Sequence, residues 1–143
     1  MEKLTLQDIM SPTPITVKES LPIGEVSHLL LRYRINGIIV TSDFDKNIIK
    51  GIFTLTDVLR LVNEVMDKGF GRKKSLKQIA DTPVGREIHD EVISLQKDVS
   101  VGKAVAVMHK KNIHTIPVYD GKTLIGVVGK HDLINAVLHS YDD

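Results

Sequence analysis

Apolar residues recur at helical spacing in two parts of the chain, each time after a polar residue that favours a helix start. Ser20 and Asp98 are these polar residues, and we expect their side chains to cap the two helices. The spacing predicts that each helix buries one face against a core. The apolar positions are Ile23, Val26, Leu30 and Tyr33 in the first part and Val101, Ala104 and Met108 in the second.

β-Branched segments follow each predicted helix in pairs, and turn-forming residues separate the members of each pair. This pattern predicts one β-hairpin in each half of the chain, followed by a closing amphipathic helix. The predicted strands are 38–40 and 48–53 in the first half and 116–119 and 123–128 in the second, and the predicted closing helices are 57–66 and 132–138.

The two halves are copies of one unit. Residues 15–24 align with residues 93–102 at a spacing of 78, and residues 51–57 align with residues 126–132 after a three-residue contraction. Each copy is predicted to have the order strand, helix, strand, strand, helix. A three-stranded sheet with two helices at roughly 55 residues cannot cover both of its own faces. We therefore expect an α/β (α+β) fold in which two βαββα repeats pack with pseudo-two-fold symmetry around small sheets.

We divide the chain into a first repeat at 1–66, a basic linker at 67–80 and a second repeat at 81–143. The linker has two glycines and five basic residues, a composition that predicts an exposed segment. Its basic cluster at 72–74 has only Phe70 nearby for base stacking, so a solvated linker is a commoner explanation than nucleic-acid binding.

Composition narrows the class of protein. With 42% hydrophobic and 26% charged residues the chain resembles an ordinary globular protein. No apolar run approaches the roughly 18 to 20 residues of a membrane span, and the start does not lead into a signal-peptide core, so we expect a cytoplasmic protein. Lys and Arg total 19 against 18 Asp and Glu, so no global field attracts nucleic acid or anionic membrane. The absence of cysteine excludes disulfides and thiolate chemistry.

Residues 51–57 carry the residue types of a nucleotide site, where a predicted strand turns into a helix. The free N–H groups and positive dipole of a helix start favour phosphate, Thr54 and Thr56 add hydroxyl groups, and Asp57 can accept from ribose hydroxyls. Gly51 would let a ligand or a neighbouring backbone approach closely. A structural interpretation is equally compatible with the residues, because Thr56 can cap the helix and Asp57 can complement its dipole.

The doubled unit, its hairpins, the Ile116-Pro117-Val118 strand and the segment 51–57 together resemble the CBS domain family over nearly the whole chain. The resemblance implies a tandem CBS pair, or Bateman module, that binds AMP, ADP, ATP or S-adenosylmethionine between its repeats and catalyses nothing. It also implies a homodimer and a separate effector protein. The family's motif is Gly, apolar, any residue, Ser or Thr, any residue, Ser or Thr, Asp. Copy one matches every defined position, whereas Gly129 and His131 replace the hydroxyl residues in copy two.

The resemblance also implies where a ligand is held. Thr54 and Thr56 are expected to hold phosphate or ribose, and Asp57 to hold the ribose hydroxyls. The other copy is expected to complete this site, and a weaker second cleft is expected where the hydroxyl pair is missing. The first site is expected to add Ile52 and Ile116 beside the adenine with Val92, Ile93, Ser94, His114 and Thr115, and the second to combine Lys130, His131 and Asp132 with Ile15, Thr16, Asn36 and Gly37.

Two other functions remain open. Six histidines invite a small metal-dependent enzyme, but no pair has the spacing of an HExxH motif, and surface positions are the commoner explanation. No Walker loop or nucleophile elbow is present. The other alternative is a constitutive dimerisation scaffold with a vestigial cleft.

Overall fold

Helices and short strands alternate along the chain in an order that repeats once. The computed structural model describes residues 4–67, 75–89 and 91–140. The helices are α1 (Leu6–Ile9), α2 (Ile23–Tyr33), α3 (Leu55–Met66), α4 (Leu76–Asp81), α5 (Val101–Lys111) and α6 (Lys130–Ser140), with a 3-10 turn at Val84–Glu87. The strands are β1 (Ser11–Pro12), β2 (Thr16–Lys18), β3 (Gly37–Thr41), β4 (Ile49–Thr54), β5 (Leu95–Gln96), β6 (Thr115–Asp120) and β7 (Thr123–Gly129). These elements form two compact units, the central unit (residues 15–91) and the terminal unit (residues 1–14 and 92–143).

The central unit is a three-stranded sheet with helices packed on it. Strand β2 runs parallel to β3, and β3 runs antiparallel to β4, which confirms the first predicted hairpin. Helices α2 and α3 bury apolar stripes against the sheet around Val26, Leu30, Phe53 and Leu61, which are at most 2% exposed. Burying one such side chain contributes about 1.5 to 3 kcal/mol. The unit therefore has its own hydrophobic core.

The terminal unit repeats this arrangement with one more strand. Its sheet has the order β1-β7-β6-β5, in which β5 is parallel to β6 and β6 and β7 form the second predicted hairpin. Helices α5 and α6 pack beside it. The buried core comprises Leu6, Val101, Ala104, Met108, Ile116, Val118, Val128 and Leu133. Across the described ranges, no helix is long and apolar enough to cross a membrane.

Each unit is completed by the segment that precedes the other repeat. Helix α4 and the 3-10 turn lead into the second repeat, yet they pack in the core of the central unit through Ile79 and Val84. Helix α1 and strand β1 lead into the first repeat, yet Leu6 is fully buried in the core of the terminal unit and β1 pairs with β7. The segment that directly precedes each repeat in the sequence therefore packs in the unit formed by the other repeat.

In each unit, a glycine at the equivalent strand position contacts the segment that precedes the other repeat. A Cβ atom on Gly51 would collide with the side chain of Ile88, and one on Gly126 would collide with the side chain of Met10. The close approach predicted at Gly51 is thus made by a protein side chain. Glycine at these two positions serves packing within each unit.

Part of the predicted exposed linker is instead a helix. Ser75 caps α4 by accepting a hydrogen bond from the N–H of Gln78, and Ile79 is only 8% exposed. The basic composition of 67–80 favoured a linker in the sequence analysis, so this short amphipathic helix was not predicted. Residues 68–74 of the linker, with the basic cluster 72–74, lie outside the described residues. The repeat boundaries 1–66 and 81–143 stay predictions.

The predicted helix caps are wrong. Helix α2 begins after Pro22, and the N–H of Ser20 instead donates to Asp43 Oδ1 at 3.1 Å. Helix α5 begins after Ser100, whose hydroxyl accepts from the N–H of Lys103 at 3.1 Å. In both repeats a tight turn separates the strand from the helix, so the helix starts two residues later than polarity suggested.

Candidate functional site

The candidate motif forms the turn from β4 into α3 in the central unit. Thr54 ends β4 and pairs with Gly37, the first residue of β3. The next residue, Leu55, donates its N–H to the carbonyl oxygen of Asn36 at 2.9 Å. The start of α3 is therefore held beside the start of β3, at one end of the central sheet.

A capping box holds the first turn of α3. Thr54 donates to Asp57 Oδ2 through its N–H at 2.8 Å and through its hydroxyl at 2.9 Å. The N–H of Asp57 donates back to the Thr54 hydroxyl oxygen at 3.2 Å. Thr54 is therefore the cap, and the predicted capping role of Thr56 is wrong. Thr56 is exposed, and its hydroxyl makes no hydrogen bond among the described residues.

The second carboxylate oxygen of Asp57 faces a cation on the same helix. Arg60 Nη2 lies 3.6 Å from Asp57 Oδ1, and Arg60 Nη1 lies 3.5 Å from Glu64 Oε1. The Arg60 side chain is 40% exposed and that of Asp57 is 26% exposed. A short row of alternating charges thus follows α3 away from the motif, and sequence reasoning did not single out Arg60.

The equivalent turn in the terminal unit has half of this arrangement. The N–H of Gly129 donates to Asp132 Oδ2 at 2.7 Å, and the N–H of Lys130 donates to the carbonyl oxygen of His114 at 3.1 Å. Because Gly129 has no side chain, the hydroxyl part of the capping box is missing. Within the described ranges, Asp132 has no cationic side chain within ion-pair distance. The two turns therefore share a backbone form but differ in their polar groups.

The remaining predicted site residues are distributed over both units. Because β2 is parallel to β3 and β3 is antiparallel to β4, Thr16, Asn36 and Thr54 all lie toward the same end of the central sheet. The central unit holds Ile15, Thr16, Asn36, Gly37, Ile52, Thr54, Thr56 and Asp57, and the terminal unit holds Val92, Ile93, Ser94, His114, Thr115, Ile116, Lys130, His131 and Asp132. Which of them share a ligand stays a prediction.

Ile116 differs from the other predicted site residues in burial. It is fully buried in the core of the terminal unit, where it pairs with Val128 in the β6–β7 hairpin. The structure therefore gives Ile116 a packing role in the terminal unit, and its predicted place beside the adenine stays a prediction.

The histidines do not converge in the part of the chain that the structure describes. No group of three or more metal-binding side chains occurs there. His139 contacts the carbonyl oxygen of Asn135 at 2.8 Å, and His89 contacts Glu87 at 3.3 Å. These contacts are local along the chain.

Both repeats match one family model. The model for the CBS domain matches residues 6–64 and residues 84–139. The chain belongs to the CBS domain family. The two matches lie on either side of the segment that contains α4.

The first curated relatives of this CBS pair are longer proteins. The chain is 25% identical over 142 residues to homoserine O-acetyltransferase from Methanosalsum zhilinae, covering 99% of this chain and 25% of that protein. More generally, it spans about a third or less of the first curated relatives that it matches.

Two solved structures resemble the CBS pair over nearly its whole length. The CBS domain pair of protein MJ0100, in complex with 5′-methylthioadenosine and S-adenosyl-L-methionine, is 22% identical with a TM-score of 0.75, and covers 96% of this chain and 98% of that chain. The structure of CBSX2 in complex with AMP is 20% identical with a TM-score of 0.75 and the same coverage. These likenesses show the fold.

One surface feature of the CBS pair was missed by sequence reasoning. An open groove of about 390 Å³ runs between α5 and α6 of the terminal unit. Val105, Met108, Ile134 and Leu138 contribute to its apolar floor, and His109 and Lys130 are polar residues in its lining. The only signal in the sequence is that Ile134 and Leu138 fall outside the core stripe of α6.

Proposed function

We propose that this CBS pair is a regulatory module that binds an adenosine-containing ligand at the β4–α3 turn of the central unit. The observation that carries the proposal is a set of polar groups within two helical turns: Asp57 Oδ1, the exposed hydroxyl of Thr56 and the guanidinium of Arg60. The CBS structures in complex with AMP, and with 5′-methylthioadenosine and S-adenosyl-L-methionine, support this class of ligand.

Each of these groups suits one part of a nucleotide. Ribose has two adjacent hydroxyl donors, and Asp57 Oδ1 can accept from them while Oδ2 keeps the two hydrogen bonds from Thr54. Phosphate suits the exposed hydroxyl of Thr56 and the guanidinium of Arg60. Because an exposed ion pair contributes only about 0 to 1 kcal/mol, a ribose hydroxyl can compete with Arg60 for Asp57 at little cost.

The terminal unit is proposed to contribute in two ways. Val92, Ile93, Ser94, His114 and Thr115 remain assigned to the ligand of the first site by their resemblance to family positions. The turn at Asp132, with Lys130 and His131, is proposed as the weaker second site, because Gly129 has no hydroxyl group to offer.

We also propose that the module is a cytoplasmic homodimer without catalytic activity, and that a separate effector protein responds to its ligand state. A ligand shifts a conformational equilibrium only by its difference in affinity for the two states. The effector is therefore expected to contact surfaces that change when the ligand binds.

Isothermal titration calorimetry of the purified protein with AMP, ADP, ATP and S-adenosylmethionine tests the proposal. GMP is the matched control, since it has the same ribose and phosphate as AMP but a different base. We expect at least one adenosine ligand to bind and GMP to bind more weakly. Absence of binding by all four would favour the dimerisation scaffold, and stoichiometric metal in the purified protein would favour the metal enzyme.

A further inference from the structure

Helix α2 ends in a backbone conformation that few residue types favour. Its C-terminal cap, Arg34, has a φ of 53° and a ψ of 44°, which lie in the left-handed region. The N–H of Arg34 donates to the carbonyl oxygen of Leu31 at 3.3 Å, and the N–H of Ile35 donates to that of Leu30 at 3.1 Å. These two hydrogen bonds form a Schellman motif, whose left-handed residue is usually glycine and sometimes asparagine.

The second repeat makes the same turn with asparagine. Asn112 ends α5 with a φ of 52° and a ψ of 50°. Asn112 and Ile113 donate to the carbonyl oxygens of His109 and Met108 at 3.3 and 3.1 Å. Arg34 and Asn112 are 78 residues apart, which is the spacing of the repeat. Asparagine tolerates this backbone because its short side chain can hydrogen-bond locally, whereas arginine does not have that compensation. The first repeat therefore has the more strained residue at an equivalent turn.

No polar contact within the described part of the chain accounts for an arginine at this turn. The Arg34 side chain is exposed, and its guanidinium takes part in no hydrogen bond or ion pair among the described residues. A positive charge at the end of α2 complements the helix dipole, but Arg32 in the last turn already supplies one. Strained residues of this kind cluster at functional sites.

Arg34 lies near the proposed ligand site in the central unit. The residue that follows it, Ile35, packs against the core of that unit. The next residue, Asn36, accepts a hydrogen bond at its carbonyl oxygen from the N–H of Leu55 at the start of α3, at 2.9 Å. Because two residues of chain span at most about 7 Å, the Arg34 backbone lies within that distance of Asn36. The long side chain of arginine can bridge a gap of this size.

We infer that Arg34 is a phosphate-binding residue of the site at the β4–α3 turn, and that it favours adenosine ligands that carry a phosphate. The inference rests on the proposed function and specifies its ligand. Arg60 is shared between the carboxylates of Asp57 and Glu64, so these three side chains have an excess of negative charge that disfavours an anion. Arg34 balances that charge. Its planar guanidinium can also bind phosphate through two parallel hydrogen bonds.

The variant Arg34→Asn places the residue of the second repeat in the first repeat. We expect the affinity for AMP to fall about threefold to tenfold, because one charge contact with phosphate is lost, and the affinity for adenosine to change less than about twofold. Calorimetry measures both affinities. We expect the melting temperature to rise by about 2 to 4 °C, because asparagine relieves backbone strain. A residue that only supports the fold would not combine weaker phosphate binding with higher stability.

Two further variants separate phosphate contact from net charge. Arg34→Lys keeps both the charge and the strained backbone, so it is expected to retain part of the preference for AMP without the rise in melting temperature. Arg32→Gln removes one positive charge from the same helix and is expected to leave the ratio of AMP affinity to adenosine affinity unchanged. An equal fall in that ratio for Arg32→Gln and Arg34→Asn would overturn the inference.

The remaining outcomes separate this inference from the proposed function. If AMP and adenosine both bind and Arg34→Asn leaves the ratio of their affinities unchanged, the ligand site stands and the inference is wrong. Binding of S-adenosylmethionine without AMP would also overturn the inference alone, since that ligand carries no phosphate. Binding of none of these ligands would overturn both. An unchanged or lower melting temperature in Arg34→Asn would show that arginine is not strained there, which also contradicts the inference.

Discussion

The side chains at the β4–α3 turn divide between shaping the helix and facing solvent. Thr54 donates its only hydroxyl proton to Asp57 Oδ2, so it has no proton left for a phosphate while the capping box is closed. Thr56 has no such commitment among the described residues. Of the two motif threonines, Thr56 is therefore the better candidate for a phosphate donor, and Thr54 mainly orients Asp57.

Asp57→Ala is expected to weaken binding of the adenosine nucleotide by about one to two orders of magnitude. Losing a hydrogen bond to a charged group costs about 1.5 to 3 kcal/mol, and about 1.4 kcal/mol is a tenfold change in affinity. Asp132→Ala is expected to leave the tighter site nearly unchanged. Calorimetry on both variants measures this, and a larger loss for Asp132→Ala would show that the other turn holds the ligand.

A matched control separates ligand contact from helix capping. Asp8 accepts from the N–H and the hydroxyl of Thr5 at the start of α1, in the same pattern as Asp57 with Thr54. Asp8→Ala therefore removes the same two hydrogen bonds from a threonine at a helix start, which costs about 1 kcal/mol of stability. It is expected to lower the melting temperature without changing nucleotide affinity.

Arg60→Gln is expected to weaken AMP about fivefold to tenfold and to leave adenosine binding unchanged or slightly stronger. The change removes a positive charge near the proposed phosphate, an interaction of about 1 kcal/mol in water, and frees Asp57 Oδ1 from its ion pair. Calorimetry with AMP and adenosine gives the ratio. Arg32→Gln on α2 is the control for net charge, and an equal effect of both variants would contradict a local role for Arg60.

At the level of elements, the segment that precedes each repeat completes the core of the other unit. Helices α1 and α4 both begin with a capping box, Thr5 with Asp8 and Ser75 with Gln78. The 3-10 turn that follows α4 brings Val84 into the central core and leads to Ile88 at Gly51. The repeat therefore includes a short capped helix before its first strand, and that helix packs on the other copy.

Gly51→Ala is expected to destabilise the protein by about 1 to 3 kcal/mol, because the new methyl group would overlap the Ile88 side chain. Gly102→Ala is the matched control, since a Cβ atom there meets no atom within 4 Å and alanine favours the helix by about 0.5 to 1 kcal/mol. Urea unfolding of both variants should give shifts of opposite sign.

A double variant tests the cause. Combining Gly51→Ala with Ile88→Ala should cost less than the sum of the two single changes, since the contact between them is removed. Strict additivity would show that the loss at Gly51 comes from elsewhere.

At the level of the whole molecule, we expect the two repeats to depend on each other for folding, because each supplies a segment to the core of the other. The fragment 1–70 contains the first repeat but lacks Ile79, Val84 and Ile88, and it keeps α1 and β1 without the strands and helices that cover them. The fragment 15–91 contains every residue of the central unit.

We expect fragment 1–70 to show no dispersed NMR spectrum as a monomer, and fragment 15–91 to retain more native helix by circular dichroism. The two fragments are similar in length, but only fragment 15–91 contains α4 and the 3-10 turn, which complete the core of the central unit. A folded, monomeric 1–70 would contradict this dependence.

The sequence by itself determined the doubled unit, the order of its strands and helices, both hairpins and the family motif. Those features follow from periodicity, turn residues and internal similarity, all of which can be read along the sequence without knowing which residues are in contact. Similarity between Thr5-Leu6-Gln7-Asp8-Ile9 and Ser75-Leu76-Lys77-Gln78-Ile79 was also present, but the basic composition around the second segment concealed it.

Only the tertiary structure decided which segment completes which unit, that Thr54 rather than Thr56 caps α3, and that Arg60 faces Asp57. It also decided that Ile116 is a core residue and that α5 and α6 leave a groove between them. These outcomes depend on contacts that periodicity does not encode, such as Ile88 against Gly51 and Met10 against Gly126. A pattern along the chain shows that a face is apolar, but the residue that covers it is chosen by packing in three dimensions.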